Sequence, residues 1–147
     1  QYTTTDKLTY SNDTTAVSPS AALNGGRYNQ GAIGNDTQGY FGGGQPGSYQ
    51  PGAQNTDKIT YSTDTTSLAP NASAGPFERS NYASTGNIGS GYWIGGYSNP
   101  LPTLSSIFKL NYASESSSLI PATMSEGRSG VTGSSSRMDG VSSSNIV

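Results

Sequence analysis

Apolar residues in this chain come in short runs set between clusters of Gly, Asn, Ser, Thr and Pro, and the clearest run recurs at a fixed interval. A thirteen-residue block opens on Lys7, Lys58 and Lys109, closes on Pro19, Pro70 and Pro121, and repeats every 51 residues. Inside it the apolar Leu8, Ile59 and Leu110 keep one place. So do Tyr10, Tyr61 and Tyr112, the acidic Asp13, Asp64 and Glu115, and Val17, Leu68 and Leu119. A period of this size marks stacked or radially arranged supersecondary units.

The fullest copy predicts four strands: residues 79–86 with Tyr82 as the bulky member, 91–96, 107–112 and 117–120. Turns are expected at 87–90, rich in Gly and Asn that accept positive φ, and at 113–116. The stretch 97–105, with Pro100 and Pro102, is read as an irregular loop. The earlier copy follows the same plan at 27–34, 39–43, 58–62 and 66–68, with a turn at 63–65. Asp13, Asp64 and Glu115 are read as turn residues that cap backbone N–H groups.

Four short strands per 40 to 50 residues is the arithmetic of a β-propeller blade. The expectation is an all-β chain, one segment spanning 1–147 with about three four-stranded blades. It divides into a partial blade 5–20, a blade 27–70, a blade 79–121 and a partial blade 128–147. The first part supplies only third and fourth strands, the last only first and second. Joined, such halves would close a sheet and hide its edges. Three blades are fewer than the usual four to eight. Further blades in a longer protein are therefore expected, with assembly of several chains as the other route. The start at Gln1 and the stop inside a repeat fit a segment of a longer protein.

Arg27, Arg79 and Arg128 each open a first strand, and Gly42-Gly43 and Gly95-Gly96 end second strands that carry aromatics. An apolar-Tyr strand and a turn follow. This order resembles the kelch repeat, in which the Gly doublet allows close backbone packing. The usual fourth-strand Trp is absent, its place taken by small residues and Val17, Leu68 or Leu119. Arg137-Met138-Asp139-Gly140 stands where an aromatic Gly-Gly strand belongs. More narrowly, Tyr61-Ser-Thr-Asp-Thr-Thr, an Arg-Tyr strand and Gly39-Tyr-Phe-Gly-Gly-Gly together resemble kelch-like repeats in virion proteins of marine cyanophages. That resemblance implies a tail fibre or virion surface component, extracellular, homo-oligomeric, with other virion proteins and a host surface glycan or protein as partners.

Composition narrows the function classes. Charged residues are 11% of the chain, far below the usual ~25%. Ten Tyr, the periodic order and β-tolerant Thr argue against disorder all the same. A net charge of −2 with seven scattered cations offers no basic face for nucleic acid. No apolar run approaches the ~18 residues of a membrane span. Cys and His are absent, which excludes zinc sites built on them, disulfides and His-based acid–base catalysis. No cofactor, metal or catalytic residue is expected, and the chain is read as non-enzymatic.

The remaining candidates are few. Arg27, Arg79 and Arg128 could bind an acidic ligand, but repetition at one blade position favours a buried structural role. Lys7 and Lys58, following Asp6 and Asp57, are read as strand-edge charges. No Asp-x-Asp-x-Asp loop suggests Ca²⁺, and Gly42-Gly43-Gly44 lacks the Lys-Ser/Thr of a phosphate loop. Aromatics are the better ligand candidates: Tyr49, Phe77 and Tyr97 in predicted loops and Trp93 on a second strand, each able to stack on a sugar ring. Ordinary packing is the competing reading for the strand aromatics Tyr40, Phe41, Tyr92 and Trp93. Host attachment through multivalent rim contacts is the first functional expectation. A purely architectural virion or filament subunit and a non-catalytic module of a secreted polysaccharide hydrolase are the alternatives.

Overall fold

The computed structural model describes residues 3–46, 55–75, 79–98 and 103–135. Tyr49, Phe77 and the stretch 136–147 lie outside them. The described residues form an all-β structure of antiparallel strands with one 3-10 turn at Pro19–Ala21.

The first hairpin pairs β1 (Asp6–Thr9) with β2 (Thr14–Val17). A two-residue ribbon, β3 (Arg27–Tyr28) on β6 (Gln45–Pro46), flanks the first four-stranded sheet. That sheet contains β4 (Gly31–Gly34), β5 (Gln38–Gly42), β7 (Asp57–Thr60) and β8 (Thr65–Leu68), in the order β4-β5-β7-β8. The second contains β9 (Ala83–Gly86), β10 (Ser90–Ile94), β11 (Ser106–Asn111) and β12 (Ser116–Thr123), in the matching order. Among the described residues these sheets stack and do not close into a ring.

Two details depart from the sequence reading. The single strand expected at 27–34 is broken, because Asn29 takes φ 56, and Asn81 repeats the break at φ 53. Asn tolerates this left-handed region better than most residues. The fourth strand runs past Pro121 to Thr123. Proline survives there because β12 is an edge strand whose missing N–H interrupts no ladder.

Directly paired residues share a sheet face. Ile33, Tyr40, Lys58 and Ser67 therefore lie on one face of the first sheet. Ser84, Trp93, Phe108 and Leu119 lie on one face of the second. These two faces meet. Tyr40 stacks on Tyr112 with ring centroids 5.6 Å apart and planes 8° from parallel. Ile33, Tyr40, Trp93, Leu110 and Tyr112 form the centre of the core, with Ala69, Ala72, Ala74 and Tyr82 around them. Glycine is needed at Gly91, because a side chain there would strike Ile33 and hold the sheets apart.

Backbone bonds tie the copies together along a regular course. The Gly44 N–H donates to Arg79 O at 2.8 Å, and the Gly96 N–H donates to Arg128 O at 2.7 Å. Asn81 N–H donates to Asn29 O at 3.2 Å, and Gly130 N–H donates to Asn81 O at 2.8 Å. Gly43, Gly44, Gly95 and Gly96 all have positive φ, so in the first copy the sharp strand exit is made by Gly43-Gly44 rather than by the expected Gly42-Gly43, Gly42 being the last residue of β5. Residues 128–135 thus run onto the second sheet as 79–86 run onto the first.

Candidate functional site

Each of the two four-stranded sheets is pinned by an arginine whose side chain reaches the end of the second strand. Arg27 pairs with Asp57, both side chains almost wholly buried, and also donates to Asn55 O at 2.6 Å and Gly43 O at 3.4 Å. Asp57 accepts a further bond from Asn24 Nδ2 at 2.6 Å. A buried ion pair persists only when its remaining lone pairs are satisfied in this way. Arg79 has no carboxylate partner among the described residues. Its guanidinium donates to Ser106 Oγ at 2.7 Å, Ser106 O at 3.2 Å and Trp93 O at 3.4 Å, and lies 5.1 Å from the centre of the Phe108 ring. Burial lowers its pKa to about 10, which leaves it charged at neutral pH. Arg128 is exposed, 3.9 Å from an exposed Glu126. Arg27 and Arg79 are therefore structural pins consumed within their own sheets, not a surface for acidic ligands.

The turn acids do something other than the expected capping. Asp13, Asp64 and Glu115 each close a hairpin turn in the left-handed region, at φ 53, 51 and 50. Asparagines cap the Asp13 and Glu115 turns instead. Asn12 Oδ1 accepts from Thr14 N–H at 3.3 Å, and Asn111 Oδ1 accepts from Ala113 N–H at 2.9 Å. The carboxylates of Asp64 and Glu115 reach across to the preceding copy. Lys7 Nζ donates to Asp64 at 2.7 Å, and Lys58 Nζ donates to Glu115 at 2.7 Å, both pairs separated by 57 residues. The lysines are thus inter-repeat ties. Equal spacing was the only sequence signal for this, and it was indistinguishable from the repeat itself.

No three acidic side chains gather to hold a metal among the described residues. Among the same residues, no helix is long and apolar enough to cross a membrane.

The aromatic candidates separate. Trp93 is 0% exposed and belongs to the inter-sheet core, so it cannot serve as a sugar platform in this fold. The physical reason is strand alternation. Tyr92 and Trp93 point to opposite faces, and Trp93 takes the face that meets the first sheet. Tyr97 is exposed on an isolated bridge, its N–H and C=O bonded to Ser80 at 2.8 and 3.0 Å. Tyr49 and Phe77 lie outside the described residues.

Three tyrosine hydroxyls serve the fold. Tyr82 Oη accepts from Gly31 N–H at 2.9 Å and donates to Gly42 O, so it fastens the second repeat to the first. Burial pushes its pKa up to about 12, against the lowering effect of the Gly31 bond. Tyr112 Oη donates to Gly34 O at 3.2 Å, and burial raises its pKa to about 12. Tyr40 Oη lies 2.5 Å from Gln38 Oε1 and 3.2 Å from Glu115 Oε1, and burial first, then the Glu115 charge, raises its pKa further still.

Among the described residues, the lysine–carboxylate pairs and the Tyr82 and Tyr112 hydroxyls join one repeat to the next, while Arg27 and Arg79 brace their own sheets. No protein-family profile matches this chain, and no curated protein matches it.

Proposed function

We propose that this chain is an architectural, non-enzymatic repeat module: a kelch-like propeller segment of a phage virion protein, whose blades supply shape and stiffness. The observation that carries the reading is the lysine–carboxylate tie repeated at 57 residues, Lys7 to Asp64 and Lys58 to Glu115. A recurring contact geometry between successive units, with the ionisable groups used for cohesion, fits a scaffold better than a catalyst. The kelch-like propeller rests on the four-strand plan and the Gly doublets, and the virion setting on the resemblance in the repeat residues alone.

A second reading is host attachment, favoured by the exposed Tyr97, an aromatic of the kind that stacks on a saccharide. Binding of the chain to an array of bacterial surface glycans separates the two. The architectural reading expects no signal above that of a denatured control. Binding that falls at least tenfold in Tyr97→Ala would replace it with attachment, and turnover of any arrayed polysaccharide would end the non-enzymatic reading.

A further inference from the structure

The burial of equivalent residues changes along the chain in a way that defines two complementary ends. Tyr10, Tyr61 and Tyr112 hold one repeat position, yet 85%, 45% and 5% of their surfaces are exposed. Leu8, Ile59 and Leu110 run from 46% to 6% to 0%. Leu110 and Tyr112 are buried against the repeat before them. Tyr112 lies under a full four-stranded sheet, Ile59 and Tyr61 follow only the hairpin β1–β2, and Leu8 and Tyr10 follow nothing among the described residues.

The opposite end shows the reciprocal deficit. Thr85, Tyr92, Lys109 and Ser118 share the outer face of the second sheet. They are the counterparts of Ile33, Tyr40, Lys58 and Ser67, which lie on the face that the second sheet covers. Tyr40 is fully buried there, while Tyr92 is only half-buried. Among the described residues, Lys109 has no carboxylate partner, and neither a cation nor a hydrogen-bond donor engages the Asp13 carboxylate. Asp13 occupies the turn position of Asp64 and Glu115, with the same left-handed φ.

We propose that the outer face of the second sheet binds the first hairpin of a second copy of this chain, head to tail, with Lys109 of one copy paired to Asp13 of the next. The occupant follows from continuity with the contact the chain already makes twice within itself, and from the matched charge at each end. Leu8 and Tyr10 of the incoming copy become buried as Leu110 and Tyr112 are. Residues 128–135 already supply the first strand-like stretch of the shared unit, held by Thr85 Oγ1 donating to Ser134 O at 2.8 Å. The interface is heterologous, so it propagates as a ring or a filament.

This inference rests on the architectural reading, and the experiment separates them. Light-scattering mass of the full chain is measured across a hundredfold concentration range, with Lys109→Glu, Asp13→Lys and their equimolar mixture. The expected result is mass that rises with concentration. Each single reversal weakens association roughly threefold to tenfold or more, the scale of an exposed ion pair turned repulsive. The mixture restores it, because the carboxylate introduced in the first variant meets the ammonium introduced in the second. Unchanged thermal midpoints show that the variants fold. A monomer at every concentration, or self-association untouched by both reversals, overturns the proposal. A monomer that keeps the internal Lys58–Glu115 coupling leaves the architectural reading standing, with a further repeat as the occupant of this face.

Discussion

At the scale of single residues, Trp93 and the buried tyrosines show what the core demands. Trp93→Ala removes a fully buried indole between two sheets and is expected to destabilise the fold by ~3–5 kcal/mol. Trp93→Phe should cost less than half of that. The indole Nε1 has no hydrogen-bond partner among the described residues, so phenylalanine forfeits no bond, and the preceding repeat carries Phe41 at the same strand position. Urea midpoints of the two variants check this, and equal losses would show that volume alone is not the determinant. The tyrosines give a pH prediction. Tyr82 and Tyr112 have native pKa values of about 12 against ~10 in the unfolded chain. The unfolded state therefore releases these protons first. Their contribution is complete below pH ~10 and is lost as pH rises through about 12. The urea midpoint should fall over that window, and Tyr82→Phe should flatten the fall. A midpoint constant from pH ~9 to ~12 would contradict this.

At the scale of elements, the hairpins carry the ties between repeats. A double-mutant cycle on Lys58→Ala and Glu115→Ala is expected to give a coupling of roughly 0.5–1 kcal/mol, near the top of the range for partly exposed pairs. The Lys7–Asp64 pair, more open to solvent on its lysine side, should give about 0.3 kcal/mol. Zero coupling in both would mean that the lysines merely decorate the strands. The strands and their antiparallel order were legible in the sequence, because turn clusters and apolar-Tyr runs fix local structure. The break at Asn29 was not, since an Asn between Tyr28 and Gln30 does not by itself announce a left-handed φ. Nor was the extension through Pro121, which depends on β12 being an edge. The turn acids were assigned to local capping because a carboxylate beside a turn looks the same whether it bonds its own N–H groups or a lysine in the preceding copy.

At the scale of the whole molecule, stability is a sum over units and over the contacts between them. The gradient of burial from Tyr10 to Tyr112 expresses this directly, as the cover that a repeat receives from the one before it grows along the chain. The sequence by itself determined the all-β class, the period and the approximate place of the strands of the two four-stranded sheets, because these depend on local alternation and on glycine at tight strand exits. It treated Arg27, Arg79 and Arg128 alike as buried repeat positions, whereas Arg27 and Arg79 are buried and Arg128 is exposed. Only the tertiary structure decided which face of each strand is inside. Tyr40 and Trp93 are buried while their repeat counterparts Tyr92 and Phe41 are only partly so, although period and composition treat each pair alike. Burial is a property of what lies across the interface, and two copies of one pattern differ whenever their neighbours differ.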